Sequence, residues 1–216
     1  MNIFPKLKNK FKLLSIAFIL SFTIFGCSQN LPEIYETRHS VVFTYNDYES
    51  LPEARLSVFL ETTSDPRRCE RVEIHSLEAD YLWNTCTIMK IANSERKWSG
   101  NVNFVVPAGE KIPKGIYELK YISADESEDT VTFAVKYDDK LYELTGNDFL
   151  KFIGDSGKLD IAIYDNSRVL IYMGEKTEEL STKGDIFNTY NEAVYYQDIW
   201  FNDDNSVICI LPENKL

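Results

Sequence analysis

Pro113-Lys114-Gly115-Ile116-Tyr117-Glu118-Leu119-Lys120-Tyr121 reads as a turn that feeds a strand of unbroken alternation. Proline presets φ for the first corner of a turn, and glycine two places on tolerates a positive φ. From there Tyr117, Leu119 and Tyr121 fall on one face and Glu118 and Lys120 on the other, the period of a strand that lies on a core. The acidic stretch Asp125-Glu126-Ser127-Glu128-Asp129 then makes a loop, and Val131-Thr132-Phe133-Ala134-Val135 returns as the partner strand of a hairpin.

The same grammar extends outward. Residues 39–45 and 55–63 alternate and are rich in Val, Phe and Thr, with a turn-like stretch over 46–54 between them. Ser64-Asp65-Pro66 is another turn; residues 69–76 and 82–91 predict a second hairpin; Asn93-Ser94-Glu95 breaks the chain, and 97–106 is a strand that carries Trp98. Downstream, residues 147–154 predict one short helix with Asn147 as its cap and Gly154 as its stop. Residues 159–164 and 168–172 form a hairpin about Asp165-Asn166-Ser167, residues 187–194 one helical turn, and 195–201 with 206–211 a last hairpin.

Short strands at this spacing predict a mainly β protein. The run Trp98-Ser99-Gly100, Phe104-Val105-Val106-Pro107, Pro113-Lys114-Gly115-Ile116-Tyr117 and Tyr121 resembles the Ig-like accessory domains of bacterial surface proteins. That resemblance implies an Ig-like antiparallel β-sandwich over residues 37–138, with residues 139–216 as a smaller β-rich C-terminal subdomain carrying one short helix. A single composite domain is the alternative.

The first 27 residues have a different character. Lys6, Lys8, Lys10 and Lys12 precede an uncharged, largely apolar run over 13–25, which ends at Gly26-Cys27. A basic stretch, a short apolar core and a small residue are the pattern of an export signal. Thirteen residues are fewer than the roughly 20 that span a bilayer. Ile24-Phe25-Gly26-Cys27 resembles the lipobox of bacterial lipoproteins, in which the cysteine is acylated and becomes the mature N-terminus. The resemblance implies a signal peptide over 1–26, a lipid anchor on Cys27, a polar tether over 27–36 and a place in the cell envelope. Ser28, where inner-membrane lipoproteins carry Asp, implies the outer membrane in a host with two membranes. An uncleaved signal anchor is the alternative.

Removing residues 1–26 takes away four lysines and no acid, leaving 19 basic and 34 acidic residues, a balance of −15. That charge opposes phosphate backbones and anionic headgroups, so no nucleic-acid partner is expected. Cys69, Cys86 and Cys209 remain. A hairpin centred on Leu77-Glu78 sets Cys69 opposite Cys86, where a disulfide would contribute about 3 kcal/mol; two separate buried thiols are the alternative. Cys209, between isoleucines, reads as a core residue.

No constellation of catalytic or metal-binding residues stands out. His39 and His75 sit in strands without ligands at metal-binding spacing. No serine lies in a nucleophile elbow, and no glycine-rich phosphate loop is present. The acidic clusters at 125–129 and 202–205 fall at hairpin tips, where carboxylates are solvated. No cofactor, metal or catalytic residue is therefore expected. In the last hairpin Tyr196 and Trp200 share one strand face and could offer a stacking platform to a sugar; packing beneath another element is the alternative. The expected function is a non-catalytic, lipid-anchored interaction or structural module of the envelope, with a protein or glycan partner. The alternative is a surface lipoprotein that captures a glycan or small ligand on exposed aromatics.

Overall fold

The computed structural model describes residues 31–92 and 96–216; the export-signal segment, Cys27 and the break at 93–95 lie outside the described residues. Among the described residues the chain is mainly β. It runs β1 (Ile34–Thr44), β2 (Glu53–Thr62), β3 (Cys69–Ser76), β4 (Tyr81–Thr85), β5 (Met89–Ala92), β6 (Lys97–Phe104), β7 (Gly115–Ser123) and β8 (Glu128–Val135). Helix α1 (Gly146–Ile153), β9 (Lys158–Tyr164), β10 (Leu170–Glu175), α2 (Lys183–Thr189), β11 (Tyr195–Phe201), β12 (Val207–Ile210) and β13 (Asn214–Lys215) follow.

The strands form two sheets. The smaller has the order β4-β3-β7-β8; the larger runs β10-β9-β11-β12-β1-β2-β6-β5, with β13 on β11. Alternation does its predicted work in β7, where Tyr117, Leu119 and Tyr121 are fully buried while Glu118 and Lys120 on the other face are not. Val72 and Ile74 of β3 and Phe133 and Val135 of β8 complete that inner face. Val41 and Phe43 of β1 and Leu56, Val58 and Leu60 of β2 face them from the large sheet, so the two sheets close on one core as a β-sandwich. Burying each such side chain contributes about 1.5–3 kcal/mol. Cross-strand pairing puts Tyr81, Ser76, Tyr117 and Phe133 in one row across the small sheet, with Tyr117 and Phe133 stacked at 5.4 Å.

Every strand pairing among the described residues is antiparallel except one. β1 runs parallel to β12, with Val41 opposite Val207 and Thr44 opposite Ile210. The strands of residues 139–216 thus continue the sheet that β1 begins, and Pro32–Leu216 forms one compact unit rather than dividing near residue 138. A second cluster of Ile161, Ile163, Leu180, Ile186 and Ala193 packs α2 against β9 at the far end of that sheet.

Several elements differ from their expected bounds. β1 begins at Ile34, inside the stretch expected as a tether. Residues 82–91, expected as one strand, are two strands in different sheets, β4 in the small one and β5 in the large one. Helix α1 is capped by Thr145, whose side chain accepts from the Asp148 N–H, rather than by Asn147; Gly154, at φ 52°, ends it as expected. The second helix lies over Lys183–Thr189, earlier than expected, and carries a capping box between Thr182 and Asp185.

Candidate functional site

The β1–β12 pairing begins only at Val41, although β1 starts seven residues earlier. β12 cannot continue beside β1 because the chain turns away through Asn202–Ser206, where Asn205 takes φ 59° and Asn202 and Asp204 hold the turn with bonds from Val207 and Ser206. The first half of β1 therefore pairs with β2 on one side and, among the described residues, with no strand on the other. Val41 N–H donates to Ser206 O at 2.8 Å and Tyr45 N–H to Ile210 O at 2.9 Å, so odd-numbered residues of β1 point their backbone groups that way. By the period of two, Thr37 and His39 direct their N–H and C=O groups into the open side.

The small sheet is open at the same flank. Ser123 N–H donates to Ser127 O, which fixes the phase of the β7–β8 hairpin. Odd residues of β8 bond to β7, and Thr130, Thr132 and Ala134 face outward. Two side chains pin the flanks together. Asp129 accepts from the Ile34 N–H at 2.6 Å and the Thr130 N–H at 2.8 Å, and His39 Nε2 donates to Ala134 O at 2.9 Å. The His39 ring also lies 4.5 Å from that of Phe133. Burial holds the His39 pKa below the usual imidazole range, against the pull of the Ala134 carbonyl and Asp204. Around the His39 pin, and on toward the 202–206 turn, lies a groove of about 690 Å³ whose lining includes Thr37, Arg38, Lys136 and Asp204. Thr37 Oγ1 is buried there and has no hydrogen-bond partner among the described residues.

This groove was not legible from sequence. It exists because of where one strand stops, and no local pattern marks that point. In sequence His39 is simply a histidine in a strand. Its role as a pin depends on Ala134, which is 95 residues away.

The residues singled out from sequence lie elsewhere. Trp200 is 8% exposed, packed edge-on to Phe149 of α1 at 5.6 Å, and its Nε1 donates to Ser156 O at 2.7 Å. It is a core residue, and this corrects the exposed platform; α1 covers the face that alternation left open. Tyr196 is half-buried against the second cluster, with Lys176 Nζ 5.9 Å from its ring centre. The His75 ring lies 3.5 Å from the Asp80 carboxylate. Asp125 is held by the hydroxyls of Ser123 and Ser127 and by Arg68, which keep its carboxyl well below the ordinary range.

The expected Cys69–Cys86 pair is also corrected, because all three described cysteines are free. The β3–β4 turn spans residues 77–80, with Asp80 at φ 51°, which moves the hairpin centre one residue toward the C-terminus. Val72 then faces Thr85, Cys69 lies opposite Ser123 of β7, and Cys86 falls beyond the end of β4, exposed. Burial pushes the Cys69 thiol up to about 11 and raises Cys209 further. At pH 8 a water-soluble maleimide is expected to label Cys86 of the folded protein rapidly, and Cys69 and Cys209 only after denaturation; rapid labelling of Cys69 or Cys209 in the native state would contradict this burial.

A second groove, about 550 Å³ and mainly apolar, runs between the loops after β1 and β6, past Leu51, Val105, Pro107 and Tyr142. No known protein-family model matches the chain, and no curated protein is similar to it in sequence.

Proposed function

We propose that the chain is a lipid-anchored protein of the bacterial cell envelope, acylated on Cys27, that works as a non-catalytic interaction module. The observation that carries this reading is the juxtaposition of the Lys-rich, apolar, Gly26-Cys27 segment with a β-sandwich that presents an unpaired strand edge. Two or three acyl chains on Cys27 give stable attachment, since each buried CH₂ contributes about 0.8 kcal/mol and one chain alone holds only marginally. The −15 balance of residues 27–216 keeps such a domain soluble beside anionic lipid. Ser28 favours the outer membrane where the host has two.

The alternative, a glycan seated on Tyr196 and Trp200, loses its platform with the burial of Trp200. The anchor is tested by metabolic labelling with palmitate and by fractionation. The wild-type chain is expected to take up label and sediment with membranes, and Cys27→Ser to take up none. A wild-type protein that carries no acyl chain overturns the reading.

A further inference from the structure

We propose that the outer face of the large sheet, where β1, β2, β6 and β5 lie side by side near the start of β1, lies against the phospholipid bilayer that holds the anchor. The proposal rests on the acylation of Cys27 and says which surface of the domain meets the lipid. Cross-strand pairing builds that face. Arg38, Phe59, Gly100 and Met89 stand in one row, and Glu36, Glu61, Trp98 and Ile91 in the next. Residues paired across antiparallel strands point the same way. Their neighbours Val58 and Leu60 are in the core, so this set faces out. Tyr35, at the bulge of β1, joins it, with its hydroxyl on Glu61.

The face is apolar and aromatic where a surface strand is usually polar. Tyr35 is 58% exposed, Ile91 46% and Met89 43%. The Phe59 ring fills the space that a Cβ on Gly100 would take. The other loops at this end, 63–68 and 124–128, expose charged and small side chains instead.

The acids of the face are neutralised within it. Glu36 binds Arg38 at 2.9 Å and Arg96 at 3.0 Å, and both guanidinium groups lie over the Trp98 ring, 5.1 and 5.8 Å from its centre. Glu61, 4% exposed, accepts from the Lys97 N–H at 2.9 Å. The patch is thus electrically balanced on a chain of balance −15, and repulsion from anionic headgroups is weakest there. Amphipathic rings and arginines over aliphatic side chains suit the headgroup level of a bilayer.

Chain length selects the bilayer as the occupant. Five residue steps join Cys27 to Pro32, a span of at most about 18 Å. An acylated Cys27 sits at the membrane surface, so the start of β1 stays within that distance of lipid.

Two methionines remain once residues 1–26 are removed. Met89 is on this face, and Met173 of β10 lies seven strands away at the far edge of the sheet, about 34 Å by the usual strand spacing. Both are exposed. The acylated protein, isotope-labelled in its methionine methyl groups, is placed in nanodiscs of phosphatidylethanolamine and phosphatidylglycerol that contain a lipid with a nitroxide on its headgroup. The Met89 signal is expected to broaden away and to return when ascorbate reduces the nitroxide, while Met173 stays sharp throughout. A Gly-Ser insert of about ten residues after Asn30 should preserve this contrast, because the face and not the reach of the tether holds the contact. Ile91→Glu places a carboxylate amid the patch and should keep Met89 sharp; should that variant misfold, the insert decides alone. A sharp Met89 in the membrane-bound wild type, loss of its broadening with the insert, equal broadening of both methionines, or a folded Ile91→Glu variant that still broadens would each overturn the proposal. Palmitate labelling reports the anchor separately: label with a sharp Met89 sinks this inference alone, and no label sinks the reading beneath it.

Discussion

Trp200→Ala is expected to destabilise the domain by about 3–5 kcal/mol, read as a lowered urea midpoint with an unchanged m-value. The indole fills the junction of three elements. It lies in β11, meets Phe149 of α1 edge-on at 5.6 Å, and ties its Nε1 to Ser156 O just past the end of that helix. Phe149 in turn packs, tilted, against Tyr45, which is 1% exposed just past the end of β1. Removing the indole opens a cavity among these rings and leaves the Ser156 carbonyl without its donor. Set against a total stability of about 5–15 kcal/mol for a domain, this loss is a large share. Trp200→Phe keeps much of the packing and should cost less, mainly the lost hydrogen bond and the smaller ring. An Ala variant within about 0.5 kcal/mol of wild type would instead mean a surface side chain.

Gly100→Ala should be as damaging, for a different reason. Gly100 lies in β6 opposite Phe59 of β2, and a Cβ there would come within 2.1 Å of Val58 O and 2.7 Å of Phe59 Cα. Both are backbone atoms of the neighbouring strand, so relief requires the β2–β6 ladder to part. The expected cost is about 3 kcal/mol, the upper end for overpacking, seen as a lower yield of folded protein and a lower thermal midpoint. Gly184→Ala is the control. The nearest outside atom to its Cβ, Thr182 Oγ1, is 3.8 Å away, and alanine in helix α2 should be neutral or stabilising by up to about 1 kcal/mol.

What could be read in the chain, and what could not, divides along the range of the interactions. β7 was legible because its turn residues, its alternation and its buried face all follow from nine consecutive positions. The 165–169 turn likewise follows from Asp165, whose carboxylate accepts from the N–H groups of Ser167 and Val169. The hairpin at 69–85 was legible as a hairpin but not in its register, since a four-residue turn and a two-residue turn suit the same flanking strands. The transfer of residues 89–92 to the other sheet leaves no mark in composition. The groove at the flank was least legible of all, because it depends on Val207 reaching Val41 and on no strand among the described residues pairing with Thr37 on the same side. Which of the two readings of Trp200 holds is hidden for a related reason, as two-face alternation cannot show whether a helix from another part of the chain covers the second face.

The parallel pairing of β1 with β12 has a kinetic consequence. The strand near the start of the domain finds one of its two neighbours some 166 positions later, at Val207–Ile210. Contacts of such sequence separation are slow to form, because the loop entropy is lost before the ladder repays it. During synthesis the large sheet cannot be completed until nearly the whole chain has emerged, so the polypeptide stays unfolded longer than one built of local hairpins. If the chain is exported as proposed above, late closure keeps it fit to cross a membrane, and the last strand acts as the clasp that commits it to its final shape.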